Sequence, residues 1–563
     1  MKKLVSINVF FFALVFCLWS NNVMAQKADT VTVIAQLPGD LYKFILADTT
    51  ATGERTNPNR FYRLEREKVY VVNATMYFNF DLNLIADDDD PYNPKRPPML
   101  INGKLADGSN NMILIALMTQ KTKTLIKNVF LQGVSTTRTQ GDWNNAISIG
   151  ADSIRLTLDN CVFNGFGASC VVMWSKDNTL IVRNSIFRNL VVDHPFAGQL
   201  LVNSGALQQD TIIVTNNTSF NNNSYFWAPL QVILKYEKIE HNTLFTSMVN
   251  VLYSPWMLNS EIRSNIFYGM LAYGQKESEI SGGWYDFNSS VSSIISIVKA
   301  SSFILSKAGL TEADRKINVS HNVYYWPQKM KDYWASQPDL TPSDLWMNDR
   351  TKSMFDDNVN YPDLTAENNI SADPQFNPEM ESWVVDSVIY WANNMRINNS
   401  STFRNYNLGS VDFLIPAWPL PEKLNYSNAL LYTAGHDGLP AGDLNWFPTE
   451  KNKWNALNGF PQEQIILGIE DNKQNVSSNF LLANYPNPVS LSTTFTFSLP
   501  HSGNAMLNIY NAQGKLLTTL VNNRLEAGRH SIDFNTGELA SGLYFYQLQF
   551  NNRLETGKMI LNK

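Results

Sequence analysis

Four residues combine charge or basicity with a repeated position: Asp159, Arg183, His241 and Arg263. The first three stand directly before the asparagine of a phrase N-x-x-F, in DNCVF (159–163), RNSIF (183–187) and HNTLF (241–245), and Asn216 takes the same place in NNTSF (216–220). Arg263 joins them when the shorter SNIF (264–267) is aligned on its Phe. A β-elimination on a uronic acid needs a base for the proton α to the carboxylate and a cation or metal to hold the enolate charge. Arg183 and Arg263 could supply the cation, His241 or an arginine the base, and Asp159 a calcium ligand. A plain solvated face would also be polar along such a column, and a one-residue slip in register would turn the column inward.

The densest acidic run is Asp87, Asp88, Asp89 and Asp90, followed by Pro91. An oxygen-rich loop of this kind can take Ca²⁺, while a Pro-flanked solvated loop has the same composition. No cofactor is required by any motif, and Ca²⁺ is the one ion the residues suggest. CxxC, HExxH, Gx₄GK[ST], GxGxxG and GxSxG are all absent, so nucleotide use and a serine-esterase site find no support. The six histidines are far apart in sequence. A glycosidase could still draw two carboxylates from distant coils, which spacing does not reveal.

The elements that would position these residues come from a repeat. The phrases KNVF, DNCVF, RNSIF, NNTSF, HNTLF, SNIF and HNVYY place asparagines at 128, 160, 184, 217, 242, 265 and 322, with gaps of 32, 24, 33, 25, 23 and 57. The short gaps define a period of 23–25 residues. Each phrase follows a β-rich run such as SIRLTL (153–158) or TIIVT (211–215), and neither a helical stripe nor a leucine ladder is present. The pattern predicts a right-handed parallel β-helix in which asparagines bond from coil to coil and aromatic rings stack inside. Phrase and period resemble the pectate-lyase-like β-helix superfamily over about residues 29–326, although no catalytic motif of a lyase or hydrolase member is matched. That resemblance implies a long face suited to polysaccharide.

Residues 288–310 fill the longest gap with helical apolar spacing and predict an inserted helix or lid. The repeat gives way after Trp326, and 327–470 reads as a loop-rich closing segment that covers an open end. A polar linker, 471–479, leads to short strands with turn signals every 8–12 residues, the pattern of a small Ig-like β-sandwich. Within it, YPNPV, LNIYNAQGK, ASGLYFYQL and KMILNK resemble the C-terminal sorting domain of the type IX secretion system of Bacteroidota over 480–563. The resemblance implies export across the outer membrane, with the secretion machinery as partner of 480–563.

At the other end, Lys2 and Lys3 precede about 16 mostly apolar residues and the pattern Val23-Met24-Ala25, which reads as a signal peptide (1–25) cut between Ala25 and Gln26. The expected route is through the periplasm to the outer surface or the medium, with no membrane span in the mature chain. Only Cys161 and Cys170 remain after processing, as one bridge or as two buried thiols. The 563 residues carry a formal charge of -6 and 17% charged residues, with scattered lysines and arginines, so nucleic acid is excluded as a partner. The 65 asparagines and 12% aromatic residues disfavour helical bundles. Two function classes remain: a polysaccharide-contacting protein, either lyase-like or purely binding, and a structural or adhesive surface protein with no active site.

Overall fold

A computed structural model describes residues 30–33, 37–52, 55–89, 94–134, 143–192, 194–205, 207–229, 232, 234–283, 286, 290–398, 414–460 and, with short breaks, 481–562. The Ala25–Gln26 junction, Asp90 and the 471–479 linker lie outside the described residues. The chain divides into two compact units, 1–466 and 467–563.

In the first unit the central coils each give one strand to each of three sheets. Lys123–Lys127, Phe130–Gln132 and Asn145–Ile149 form one coil, and Arg155–Asp159, Val162–Asn164 and Ser169–Met173 the next. The strands pair in parallel with the coils before and after, giving sheets of eleven, ten and six strands among the described residues. The unit is a parallel β-helix. Among the described residues no helix is long and apolar enough to cross a membrane.

The asparagine phrase does two jobs at neighbouring positions. The corner between the eleven- and ten-stranded sheets needs a left-handed residue, filled by Asn128, Asn160, Asn184, Asn216, His241, Ser264, His321 and Asn368 at φ 53–61°. Asparagine tolerates that region better than most residues, which explains its frequency there. The next residue points inward. Asn217, Asn242, Asn265, Asn322 and Asn369 form a ladder in which the Nδ2 of each of the first four donates to the Oδ1 of the next at 2.9–3.0 Å. Each also donates to a main-chain carbonyl, as Asn242 does to Val214 at 2.9 Å. These buried amides are satisfied along the solenoid axis. Cys161 and Ser185 occupy the same column in earlier coils, and Cys161 and Cys170 are free, buried thiols.

The rings likewise form two stacks. Phe163 and Phe187 lie parallel inside the solenoid at 4.8 Å. Phe220, Phe245, Tyr268 and Tyr325 share the register of Arg188 instead, and Phe376 meets Phe245 and Tyr268 edge-on. A single inward aromatic column is therefore corrected to an inner stack and a second stack under the closing residues.

The parallel coils continue past Trp326. Asp363–Glu367 pairs with Lys316–Ser320, and Ile370–Ser371 with Val323–Tyr325, so the β-helix extends beyond the boundary read from sequence. Its phrase, Asn368-Asn369-Ile370, lacks the aromatic and lies 47 residues after Asn322. The intervening residues fold as helices Gln328–Ser336 and Asp349–Asp356, and Pro378–Asn398 follows as a 21-residue helix. That last helix buries Met380, Val384, Val388, Trp391 and Met395 at helical spacing.

The expected helix over 288–310 is also corrected. Among the described residues of this segment only Ser302–Lys307 is helical; Ile294 and Ile295 donate main-chain bonds to Leu345 and Trp346 at 3.0 and 2.9 Å. Ile294, Ile295, Ile297 and Val298 are all buried. A short β-branched run carries both periods, and tertiary pairing selects the extended one. Buried Arg315 ties this segment to its coil by donating to Val298 and Met257 carbonyls at 2.8 and 2.7 Å.

Glu237 places a carboxyl within the solenoid. Glu237, in register with Ile212 and Ser260, accepts from Trp227 Nε1 at 2.8 Å, from Ser254 at 3.2 Å and from Ser260. Burial nevertheless pushes this carboxyl above the usual glutamate range. Its folded pKa is raised, so its contribution is full below the unfolded value of about 4.3 and is lost as pH rises toward the folded value. Glu237→Gln, which keeps the neutral shape, is expected to flatten the fall in Tm above pH about 4.3. An unchanged Tm-against-pH curve would show that the carboxyl is ionised in place.

The second unit is a sandwich of antiparallel sheets, three strands on one side and four on the other. Phe495, Phe497, Leu507, Ile509, Tyr546 and Leu548 form its core, with Phe495 edge-on to Tyr546 at 4.8 Å.

Candidate functional site

Strand register separates the four sequence candidates. Lys127, Asp159, Arg183, Thr215, Glu240, Arg263, Ser320 and Glu367 form one column of the eleven-stranded sheet. His241 lies one position later, in the left-handed corner column with Asn216 and Ser264. The phrase carries its asparagine at either of two neighbouring positions, so aligning on it shifts the later coils by one residue.

Within the column the charges engage each other. Asp159 bonds Arg183 Nη2 at 2.9 Å and Asn184 Nδ2 at 2.8 Å. Arg183 also lies over the Phe460 ring at 4.5 Å. Glu240 is flanked by Arg263 Nε at 2.5 Å and Lys238 Nζ at 3.0 Å, and Arg263 Nη2 reaches Glu261 at 2.8 Å. Arg183 and Arg263 each already face a carboxylate. The acidic run is dispersed in the same way: Asp87 faces Arg63 at 3.5 Å, Asp88 faces Lys127 at 2.7 Å, and Asp89 faces Arg66 at 3.3 Å.

The closing residues 414–460 follow the corner of the ten-stranded sheet. Gln132 donates to Leu414 O at 2.9 Å, Arg188 pairs with Glu422, and Thr218 Oγ1 donates to Asp443 at 2.7 Å. Gly442 N donates to Ser264 O at 2.7 Å. A Cβ at Gly442, which has φ 83°, would lie 2.6 Å from Thr243 Oγ1, so glycine permits this approach.

That path brings together residues far apart in the chain. The turn 435–439 closes with Gly435 N donating to Leu439 O at 2.9 Å and presents His436 and Asp437 to His241. His241 is fully buried; its Nε2 lies 3.0 Å from Asp437 Oδ2 and its Nδ1 3.3 Å from Gly442 O. His436 Nδ1 lies 2.8 Å from Ser264 Oγ, and its Nε2 lies 3.7 Å from buried Glu240. His321 is the next histidine, its ring 6.5 Å from that of His436.

Burial pushes the His436 imidazole down to about 4, with Arg263 and His241 acting the same way against the pull of Glu240. Asp437 goes down to about 2: burial opposes this, but the hydrogen bond and charge of His241 outweigh it. Two imidazoles and a carboxylate offer donor atoms within 4.8 Å of one another, an N,N,O set suited to a divalent ion. Sequence reading assigned His241 to the outer face and left His436 and Asp437 within a capping segment. Their one local signal is a His-Asp pair between Gly435 and Gly438.

A second surface borders the six-stranded sheet. Tyr77, Trp143 and Trp174 are 55%, 49% and 55% exposed there, among the largest apolar groups left in water on the coils. Trp174 follows Met173 at one end of its strand, whereas Trp143 precedes Asn145 at the opposite end of the neighbouring strand. The register through Tyr77 continues as Ala116, Ser148, Val172, Val202 and Ala228, which carries no charge and is buried beyond Tyr77.

Residues 483–562 match the family described as the Secretion system C-terminal sorting domain. The match lies within the second unit and supports export by type IX secretion to the cell surface or beyond. Among curated proteins, none matches the chain.

Proposed function

We propose that this protein crosses the inner membrane on residues 1–25, leaves the periplasm through its sorting domain, and acts outside the cell as a non-catalytic polysaccharide-binding protein. One observation carries the reading: the exposed rings Tyr77, Trp143 and Trp174 border an uncharged column, while the charged column is engaged in its own ion pairs. The C–H faces of neutral sugars stack on such rings. A uronate lyase is disfavoured, because His241 is buried and bonded and the arginines face carboxylates.

Affinity electrophoresis against neutral and anionic glycans tests this. The full chain is expected to be retarded by at least one neutral polysaccharide, and Trp174→Ala or Trp143→Ala to weaken that binding by about ten-fold, the upper end of a ring-stacking contribution. Ultraviolet absorbance for unsaturated uronate is expected to stay flat with and without calcium. Binding to no glycan would favour the structural or adhesive reading, and absorbance growth would restore the lyase.

A further inference from the structure

We propose that His241, His436 and Asp437 form a zinc-type divalent metal site that fastens the closing residues to the β-helix. The ligand set is nitrogen-rich and compact. Its three donor atoms lie within 4.8 Å of one another, and bonds of about 2.0–2.2 Å to a tetrahedral ion would draw such atoms to about 3.3–3.6 Å, so the 435–439 turn closes in by about 1 Å on binding. Two imidazoles with one carboxylate suit zinc and its neighbours, whereas calcium and magnesium take oxygen donors.

The surroundings of each imidazole favour coordination through Nε2. His241 Nδ1 faces Gly442 O at 3.3 Å, which leaves Nε2 toward Asp437. His436 Nδ1 faces Ser264 Oγ at 2.8 Å, which leaves Nε2 toward Glu240. An oxygen on the second ring nitrogen is the usual outer-shell arrangement of metal-bound histidine. Ser264 holds His436 twice, since its Oγ also accepts from the His436 main-chain N–H at 2.9 Å. Glu240 adds buried negative charge beside the site.

A separate observation points the same way. His321, one coil further on, has a buried Nδ1 without a hydrogen-bond partner, and its ring lies 6.5 Å from His436. A buried ring nitrogen left unsatisfied is costly unless something binds it, while the other nitrogen of this ring, Nε2, lies 3.2 Å from Asn368 Nδ2. Three of the six histidines thus gather where a turn of the closing residues meets the corner column. An ion held there would link residue 241 to residues 436 and 437 and oppose local detachment of the closing segment.

The test uses the full chain, stripped with EDTA and titrated with ZnCl₂ by calorimetry and thermal melting. One zinc per chain is expected, with a rise in Tm of at least about 2 °C at saturation. CaCl₂ and MgCl₂ are expected to give no rise. His436→Gln and Asp437→Asn, the latter keeping the hydrogen bond to His241, are expected to weaken zinc binding by at least ten-fold while leaving the far-ultraviolet circular dichroism unchanged. Absence of zinc binding by the wild type would overturn the proposal. Unchanged affinity in Asp437→Asn would also do so, by placing the zinc elsewhere, and this holds even if His436→Gln fails to fold.

Discussion

Replacing Arg188 with Met is expected to destabilise the first unit by about 3–5 kcal/mol, because it leaves the Glu422 carboxylate buried with no opposing charge. The side chains of Arg188 and Glu422 are 0% and 2% exposed. Arg188 bonds Glu422 through Nε and Asn164 Oδ1 through Nη1 at 3.0 Å. Desolvating both charges is itself expensive, so the pair contributes less to stability than the single replacement suggests. The double variant Arg188→Met/Glu422→Leu is therefore expected to recover most of the loss. Urea unfolding of both single variants and the double variant gives the coupling energy. Strictly additive losses would show that the two charges do not act as a pair. Limited proteolysis supplies a local readout, since a weakened pair should expose 414–460 to cleavage first.

Phe187→Ala is expected to cost about 3–5 kcal/mol, the range for emptying a ring-sized space in a packed core. Its ring is fully buried and lies 4.8 Å from that of Phe163, with the two planes 7° apart. The coils above and below are fixed by strand pairing, which limits how far the space can collapse. Phe187→Leu, which refills much of the volume, is expected to cost under half as much. A midpoint shift corresponding to less than about 1 kcal/mol for the alanine variant would place the ring outside the core.

These experiments bear on features that differ in how far they could be read from the chain. The asparagine phrase is legible because both of its uses are local: a left-handed corner accepts asparagine, and an inward amide can bond its equivalent one period away. The recurring phrase gives the parallel stacking, since equivalent positions meet in successive coils even where the gaps between phrases run from 23 to 57 residues. The extra coil at 363–371 escaped notice because its Asn368-Asn369 pair has no following aromatic and helical insertions precede it. The 21-residue helix was readable in principle from the spacing of Met380, Val384, Val388 and Trp391, but tryptophan and asparagine around it suggested loops.

The sequence by itself determined the β-helical repeat, the sorting motif, and which residue types recur at the coil corners, since each depends on contacts between equivalent positions or within a short stretch. Tertiary structure alone decided whether Asp159 and His241 share a column, which face Phe220 takes, and that His241 meets His436 and Asp437. Those outcomes depend on strand register and on where the closing segment lies. A one-residue offset in a five-residue strand changes little in composition, yet it moves a side chain to another face. A contact spanning nearly 200 residues leaves no spacing to read, because it arises only when the closing segment is laid along coils that have already stacked.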